Sequence, residues 1–240
     1  YSIQPDRNGF LVGGDYSLIN GVETMRLSYF DDEGSVSALL LEEFELNNAV
    51  YAIEHAFNGI FVGGLFNSSG EKSVNHLVKI DHNGRLDNSF EAPAEVISTV
   101  YDIEKWGNDL YVAGSFGVLK LSHDGGLNGD FERHAINGAV YSIDVTQDGI
   151  YLAGDFDAES NGTLKNIVRI GHNGTIDDSF QPSDYPDGPV FSVLSMDSSV
   201  LIGGGFVTVN GVSSRRIACL NRDGSIDDSF YVGLGFNNVV

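Results

Sequence analysis

Acidic side chains recur at matching places along this chain, and they are the residues best suited to chemistry. Three carboxylates each follow a short run in which apolar residues alternate with small or polar ones: Glu54, Glu104 and Asp144. Asp102 lies two residues before the second of them. If each alternating run is a strand with one packed face, these side chains share the opposite face. Carboxylates gathered in this way could bind a cation, or supply the general acid and base of a glycoside hydrolase.

The recurrence itself argues against catalysis. Carboxylates that act as acid and base usually need unlike environments, so that their pKa values lie apart. Carboxylates at equivalent positions of a repeated sequence have similar surroundings. We therefore assign no catalytic residue and predict that the protein is not an enzyme. A carbohydrate-active hydrolase that uses Glu54, Glu104 and Asp144 is the alternative.

Two acidic turns, residues 81–87 and 221–227, look superficially like calcium-binding loops. An EF-hand loop needs a ligand at position five, glycine at six and glutamate at twelve. Counted from Asp81, the glycine falls at position four, and positions five and twelve are Arg85 and Ala92. This spacing does not support calcium, so we predict no metal and no cofactor. The aspartates are expected to cap tight turns.

Candidate contact residues for a partner lie in turns and long connections. Trp106, the sole tryptophan, ends one of the alternating runs. Exposed, it could anchor a partner; packed under a loop, it could not. Two of the longer loops carry charged pairs, Glu71 with Lys72 and Arg215 with Arg216. We predict that these five residues contact a protein or a surface glycan.

The elements that must position these residues are five copies of one sequence. Each copy has an apolar run that ends in two small residues, and the second of these is Gly14, Gly64, Gly114, Gly154 or Gly204. The steps of 50, 50, 40 and 50 residues are typical of a repeat architecture. No linker interrupts the series, so we predict a single domain, 1–240. Its repeats are 1–50, 51–100, 101–140, 141–190 and 191–240.

Each repeat has the pattern of four short strands. An alternating run is followed by a tight turn, the glycine run, a longer connection, a third apolar run, another turn and a fourth run, which ends in phenylalanine in every repeat but the first. Asn-Gly and Asp-Gly between such runs are strong hairpin signals, because both residues tolerate positive φ. The third repeat lacks about ten residues between its second and third runs. We expect it to keep all four strands, because loops tolerate deletion better than core strands.

These patterns predict an all-β fold. It is a five-bladed β-propeller of four-stranded antiparallel blades, or part of a larger ring. A single blade exposes both faces, so its stability must come from packing on its neighbours. Aromatic side chains at the start of each repeat, after the glycines and in the fourth strand are expected to fill the space between blades. Residues 238–240 match the residues that precede the other repeats, which favours closure of the ring.

Composition excludes several classes of partner. The net charge is -21, from 34 acidic and 13 basic residues, so the chain would repel the phosphates of nucleic acid and an anionic membrane surface. No apolar run reaches the length of about 18 residues that membrane insertion needs. Cys219 is the only cysteine, which excludes an internal disulfide, and we expect it to be buried.

The last repeat has the most detailed pattern. It runs from Gly203-Gly204-Gly205-Phe206 through Arg-Ile-Ala-Cys-Leu-Asn-Arg-Asp-Gly-Ser-Ile-Asp-Asp-Ser-Phe, residues 216–230, to Gly233, Gly235 and Asn238. This pattern resembles the bacterial delta-60 repeat β-propeller family, well in the last four repeats and loosely in the first.

The resemblance implies secreted or surface-exposed bacterial proteins, or phage structural proteins, in which such propellers are modules of larger chains. It brings no catalytic residues. We therefore expect a binding or structural module that is extracellular, on the bacterial cell surface or in a virion. An architectural subunit of a phage particle or surface filament is a further alternative.

Overall fold

The computed structural model describes the chain except for residues 7, 25, 38–44, 57, 82, 83, 123, 134, 135, 159–163, 232, 234 and 240. In the described part every regular element is a β-strand. No helix long and apolar enough to cross a membrane occurs among these residues. The strands in chain order are β1 (Ser2–Asp6), β2 (Gly9–Gly13), β3 (Leu18–Ile19), β4 (Val22–Glu23), β5 (Leu27–Asp31), β6 (Val36–Ser37), β7 (Val50–Ala56), β8 (Gly59–Gly64), β9 (Ser68–Ser69), β10 (Lys72–Ser73), β11 (Leu77–Ile80), β12 (Val100–Trp106), β13 (Asp109–Gly114), β14 (Gly117–Ser122), β15 (Ile136–Thr146), β16 (Gly149–Ala158), β17 (Leu164–Ile170), β18 (Val190–Ser195), β19 (Ser199–Gly204), β20 (Thr208–Val209), β21 (Val212–Ser213) and β22 (Ile217–Asn221).

Two compact units make up the chain. The first contains residues 1–114 and 120–128, and the second contains residues 115–119 and 129–240. Separate antiparallel sheets follow one another in chain order, and each takes its strands from one sequence repeat. Their strand orders are β1-β2-β5-β6, β7-β8-β11, β12-β13-β14, β15-β16-β17 and β18-β19-β22. The predicted all-β, antiparallel architecture is confirmed.

The long connections between second and third strands fold into small hairpins of their own. These are β3–β4, β9–β10 and β20–β21. In the third repeat, β13 passes directly into β14 through a turn at residues 115 and 116. The deletion that the sequence places there therefore removes this small hairpin and leaves the main strands in place.

The fourth strand is shorter than the sequence predicts. The first repeat has the two-residue strand β6, and in the others the fourth strand is reduced to one isolated bridge: Ile80 with Leu86, Leu121 with Leu127, Ile170 with Ile176 and Leu220 with Ile226. The following aspartate turns the chain away from the sheet. In the fourth repeat, Asp177 Oδ1 accepts hydrogen bonds from Ser179 N–H at 2.9 Å and from Ser179 Oγ at 2.7 Å. The predicted four-stranded blade is found in the first repeat, and the sheets of the other four repeats have three strands and a one-residue bridge.

The same turn, residues 177–180, encloses a buried cation. Arg169 on β17 donates from Nε to Asp177 Oδ2 at 2.7 Å and from Nη2 to Ser179 Oγ at 2.6 Å. Its guanidinium lies over the rings of Tyr151 and Phe180, 5.6 and 5.7 Å from their centroids. These contacts satisfy a charge that would be costly to bury alone. They explain why the aspartate and phenylalanine recur together.

The hydrophobic core lies mainly between consecutive sheets. In the first unit, one cluster joins Leu11 and Leu27 of the first sheet to Val50, Ile53 and Val62 of the second sheet. Glycine makes this close approach possible. A Cβ on Gly13 would collide with Val50 and lie 3.0 Å from Ile53 Cδ1, and a Cβ on Gly63 would meet Val100 and Ile103 in the same way. We call this contact the glycine notch: an isoleucine of one repeat seated on a glycine of the repeat before it.

An aromatic residue is displaced from the ladder at the start of four first strands. The register shifts between Val50 and Ala52, so that Tyr51 has no direct partner on β8, and equivalent shifts occur at residues 101, 141 and 191. The displaced rings contact one another between repeats: Tyr1 with Tyr51 at 5.0 Å, Tyr51 with Tyr101 at 5.7 Å, and Tyr141 with Phe191 at 5.4 Å. The predicted aromatic packing between repeats is confirmed for these pairs.

A second recurring contact joins neighbouring repeats at the tight turn after the third strand. Gly174 lies in the tight turn after β17 with φ +91°, and a Cβ there would collide with the backbone of Glu132 in the preceding repeat. Glu132 N–H also donates to Asn173 O at 2.7 Å. Gln181 N–H donates to Asp223 O at 2.9 Å in the same manner. We call this contact the turn lock.

The turn lock predicts that Gly174→Ala destabilises the fold more than its backbone strain alone. Gly211 is a matched control, because it also has positive φ (+70°) but no atom within 4 Å of the place that an added methyl group would take. We expect Gly211→Ala to lower the free energy of unfolding by about 1–2 kcal/mol, the cost of positive φ. Gly174→Ala should lower it by about 3 kcal/mol or more, because the backbone of Glu132 must also move. Equal losses in urea titrations would contradict the turn lock.

Candidate functional site: carboxylates of the first strands

The four sequence-predicted carboxylates lie on the first strands of their sheets. Glu54 is on β7, Asp102 and Glu104 are on β12, and Asp144 is on β15. Each of these strands is the edge of its sheet. An edge strand has a row of N–H groups without a strand partner, which need other acceptors or water.

Asp144 supplies acceptors to the edge strand of the next repeat. Its Oδ2 accepts a hydrogen bond from Ser195 N–H at 2.6 Å, and its Oδ1 accepts one from Ser195 Oγ at 2.9 Å. Nearby, Ser142 Oγ accepts from Val193 N–H at 3.3 Å. The two bonds to the Asp144 carboxylate are charge-assisted, and such bonds are roughly twice as strong as neutral ones. Both oxygens of Asp144 are therefore engaged in joining β15 to β18.

Glu54 occupies the equivalent position on β7 and has the equivalent partner. Its carboxyl accepts a hydrogen bond from the backbone N–H of Lys105, and Gln4 Nε2 donates to Glu54 Oε2 at 3.1 Å. Burial raises the pKa of Glu54 to about 7 and the charge of Asp102 adds to the shift, while the bonds from Lys105 and Gln4 oppose it. Glu54 thus links three consecutive repeats and changes charge near neutral pH.

The remaining acids of the set are also engaged. Asp102 Oδ1 accepts from Ile103 N–H at 2.9 Å. Glu104 is half-buried and has interactions of its own. The structure brings Glu54 and Asp102 into electrostatic contact within the first unit, whereas Asp144 belongs to the second unit.

The predicted contact residues lie on turns and hairpin tips. Trp106 ends β12, is 39% exposed, and pairs with Asp109 across the tight turn. Glu71 and Lys72 are exposed at the tip of the β9–β10 hairpin, where Lys72 Nζ donates to Asn88 Oδ1 at 2.9 Å. These three residues belong to the first unit.

Arg215 and Arg216 have structural roles that the sequence did not indicate. Both have positive φ, 47° and 84°, immediately before β22. Arg216 Nη1 donates to Gly205 O, and Arg215 O accepts from Phe236 N–H at 3.2 Å. Arg26 and Asn166 occupy the position of Arg216 in their repeats, also with positive φ, and donate to Leu46 O and Pro186 O at 2.8 and 3.0 Å. The guanidinium of Arg216 is therefore committed to the backbone, while Arg215 stays exposed.

A family described as a domain of unknown function (DUF5122) β-propeller matches residues 58–90, 146–180 and 197–230, which together are under half of the chain. Each segment runs from the first turn of a repeat to its Ser-Phe. The chain is a β-propeller repeat protein.

Solved structures agree at the level of the fold. The whole propeller chain aligns with 75% of the computationally designed Ika8 protein, at 13% identity and a TM-score of 0.57. Of this chain, 84% aligns with the WD40 β-propeller domain of Doa1, at 13% identity and a TM-score of 0.51, and covers 59% of that chain. No curated protein matches the sequence.

The acidic turns of the propeller use their carboxylates locally. Asp223 Oδ1 accepts from Ser225 N–H and Oγ at 2.9 and 2.6 Å, and Asp227 Oδ1 does the same with Ser229. In the other calcium-like turn, residues 82 and 83 lie outside the described part. Among the described residues, no cluster of three or more His, Cys, Asp or Glu side chains could hold a metal ion.

Sequence reasoning missed a polar cleft in the second unit. Its volume is 790 Å³, and its walls come from three segments of the fourth repeat, residues 155–157, 165–166 and 183–189. Asp187 on one wall accepts from Val207 N–H and Thr208 N–H at 2.6 and 3.0 Å. Tyr185 is half-buried there. No short sequence motif could have indicated this cleft, because three separate segments of the repeat build it together.

The raised pKa of Glu54 predicts a specific pH dependence. The folded state binds the carboxyl proton of Glu54 more tightly than the unfolded state does. The contribution of this protonation to the stability of the fold is therefore complete below pH 4.5 and is lost as the pH rises to about 7. Glu54→Gln keeps the shape of the side chain without the charge. At pH 8 we expect the free energy of unfolding of the variant to exceed that of the wild type by about 1–2 kcal/mol, after allowance for solvent screening. Near pH 4.5 the two proteins should have similar free energies of unfolding.

Chemical unfolding at several pH values measures this difference. Glu71→Gln is the control, because it removes the same charge from an exposed hairpin tip. An equal increase in the free energy of unfolding of the control at pH 8 would show that the effect comes from net charge. A Glu54→Gln curve parallel to that of the wild type would contradict the buried titration.

Proposed function

We propose that this β-propeller repeat protein is a non-enzymatic binding or structural module with a protein or a surface glycan as its partner. The observation that carries the proposal is the engagement of the first-strand carboxylates. Both oxygens of Asp144 accept from Ser195, and the Glu54 carboxyl accepts from Lys105 and Gln4. Oxygens that hold neighbouring repeats together are poorly placed to move between substrate and water as an acid or base.

Within the β-propeller fold, we propose that the chain is a delta-60 repeat propeller with five blades in one ring. Three of the repeats match the DUF5122 β-propeller description over the segment that carries the glycine run and the Ser-Phe turn. The resemblance to that family supports a bacterial protein that is extracellular, on the cell surface or in a virion. The net charge of -21 supports partners other than nucleic acid.

The partner-binding surface is assigned to the turns and outer hairpins. Trp106 offers an exposed aromatic face beside Asp109, a combination suited to stacking on a sugar ring or anchoring a protein side chain. Glu71 and Lys72, an exposed charged pair on the β9–β10 hairpin, are a separate candidate contact. Arg215 is a weaker candidate, because its backbone carbonyl is bonded to Phe236, and Arg216 is weaker still.

A binding test uses an array of immobilised bacterial polysaccharides and peptidoglycan as the probe. We expect the wild type to bind one class of glycan, and Trp106→Ala to bind it about tenfold more weakly, as loss of an aromatic anchor does. Ile97→Ala is the control, since Ile97 is an exposed apolar residue on a loop outside these turns. Unchanged affinity of the Trp106 variant would remove this residue from the binding surface.

The hydrolase alternative depends on Glu54, whose pKa of about 7 suits proton transfer at neutral pH. Incubation of the same polysaccharides with the wild type should release no new reducing ends. Release that disappears in Glu54→Gln or Glu104→Gln would overturn the non-enzymatic assignment. Release that Glu54→Gln, Glu104→Gln and Asp144→Asn all retain would point to a contaminating enzyme.

A further inference from the structure

The polar cleft of the fourth repeat has lining residues that do not recur from repeat to repeat. In the second repeat, which has the same length, Ala94 and Glu95 stand where the cleft has Asp184 and Tyr185. Residues that only serve the fold of a repeat are expected to recur, as the glycine run does. Side chains that differ in one repeat, and that meet there in one cavity of 790 Å³, point to a ligand, since ligand clefts have volumes of this order.

One wall of the cleft is a connection, residues 183–189, that is tied to the turn of the β20–β21 hairpin. Asp184 N–H donates to Asn210 Oδ1 at 3.2 Å, and Asn210 N–H donates to Asp184 O at 2.7 Å. Gly188 packs so closely that a Cβ there would lie 3.2 Å from the backbone of Phe206. This wall is therefore formed before a ligand arrives, which lowers the entropic cost of binding.

Asn166 contributes a fixed amide group to the cleft. Its side chain is buried, and its Nδ2 donates to Pro186 O at 3.0 Å, which sets the plane of the amide. Among the residues that the structure describes, none donates a hydrogen bond to Asn166 Oδ1. A buried acceptor is costly to leave without a donor. The Oδ1 atom is thus suited to accept a hydrogen bond from a ligand.

The charged groups of the cleft determine which ligands it can accept. They are four aspartates and one lysine: Asp155, Asp157, Asp184, Asp187 and Lys165. Lys165 Nζ lies 3.8 Å from Asp157 Oδ1, so the lysine is opposite a carboxylate of the cleft itself. The other carboxylates accept hydrogen bonds and repel negative charge. A ligand that carries phosphate, sulfate or carboxylate groups is therefore disfavoured.

Tyr185 supplies an aromatic surface in the cleft. It is partly exposed and packs against the core cluster of the second unit, which holds the ring in place. A fixed aromatic ring beside carboxylates and amides matches a sugar, because a sugar has hydroxyl donors and an apolar ring face. A peptide would instead need apolar pockets for its anchoring side chains, and the lining of this cleft is mainly polar.

We infer that this cleft binds a short stretch of polysaccharide that has hydroxyl groups and no acidic groups. Tyr185 stacks on one sugar ring, Asp155 and Asp184 accept hydrogen bonds from its hydroxyls, and Asn166 Oδ1 accepts another. The inference rests on the proposed binding function and names a glycan rather than a protein as the partner. The cleft is a second contact surface, in the other unit from Trp106.

Isothermal titration calorimetry tests the inference with neutral hexasaccharides of glucose, xylose and mannose, and with oligogalacturonate as the acidic probe. We expect the wild type to bind a neutral hexasaccharide and not oligogalacturonate. Asp184→Ala introduces the residue that the second repeat has there, and should weaken binding about tenfold, as loss of a hydrogen bond to a charged group does. Asp178→Ala is the matched control, because Asp178 is an exposed aspartate of the same repeat outside the cleft.

Equal affinities of the Asp184 and Asp178 variants would overturn the inference, and so would tight binding of oligogalacturonate. Sugar binding that Trp106→Ala abolishes and Asp184→Ala leaves unchanged would refute the cleft and support the proposed function. Binding of oligolysine that depends on Asp184, with no sugar bound, would make the cleft a site for cations and the inference wrong. A wild type that binds none of the sugars would also overturn it, and the proposed function would then depend on a protein partner.

Discussion

The contact between a glycine of one repeat and an isoleucine of the next is the constraint on which the rest of the fold depends. The sheets lie close enough to share a core only because Gly13 and Gly63 have no side chain where Val50 and Val100 pack. The core clusters consequently join residues of different repeats. Stability in such a chain is a sum of contacts between nearest neighbours. Loops outside these contacts can change freely, and the third repeat, which lacks the outer hairpin, illustrates this freedom.

The first strand of each repeat is an edge strand, and some of its N–H groups have no strand partner. Acidic side chains of the preceding repeat accept hydrogen bonds from such groups. A carboxylate is a strong acceptor for an N–H group that has no strand partner. Asp144 meets this need for Ser195, and Glu54 meets it for Lys105. The cost appears at Glu54, where burial raises the pKa to about 7. A recurring acid in a repeat protein is thus explained by the hydrogen bonds of the next repeat before any catalytic role is needed.

Much of the architecture could be predicted from the sequence, because repetition and period-two alternation are properties of the backbone. The hairpin turns and the deletion in the third repeat follow from local residue types. The displacement of Tyr51 could not be predicted, since alternation places Tyr51 and Ile53 on one face. Gly64 permits it: Leu65 N–H donates to Ala49 O at 2.9 Å in the space where a Cβ of Gly64 would lie. The carboxylate bonds were also beyond sequence reasoning, because each joins residues about 50 positions apart in different sheets.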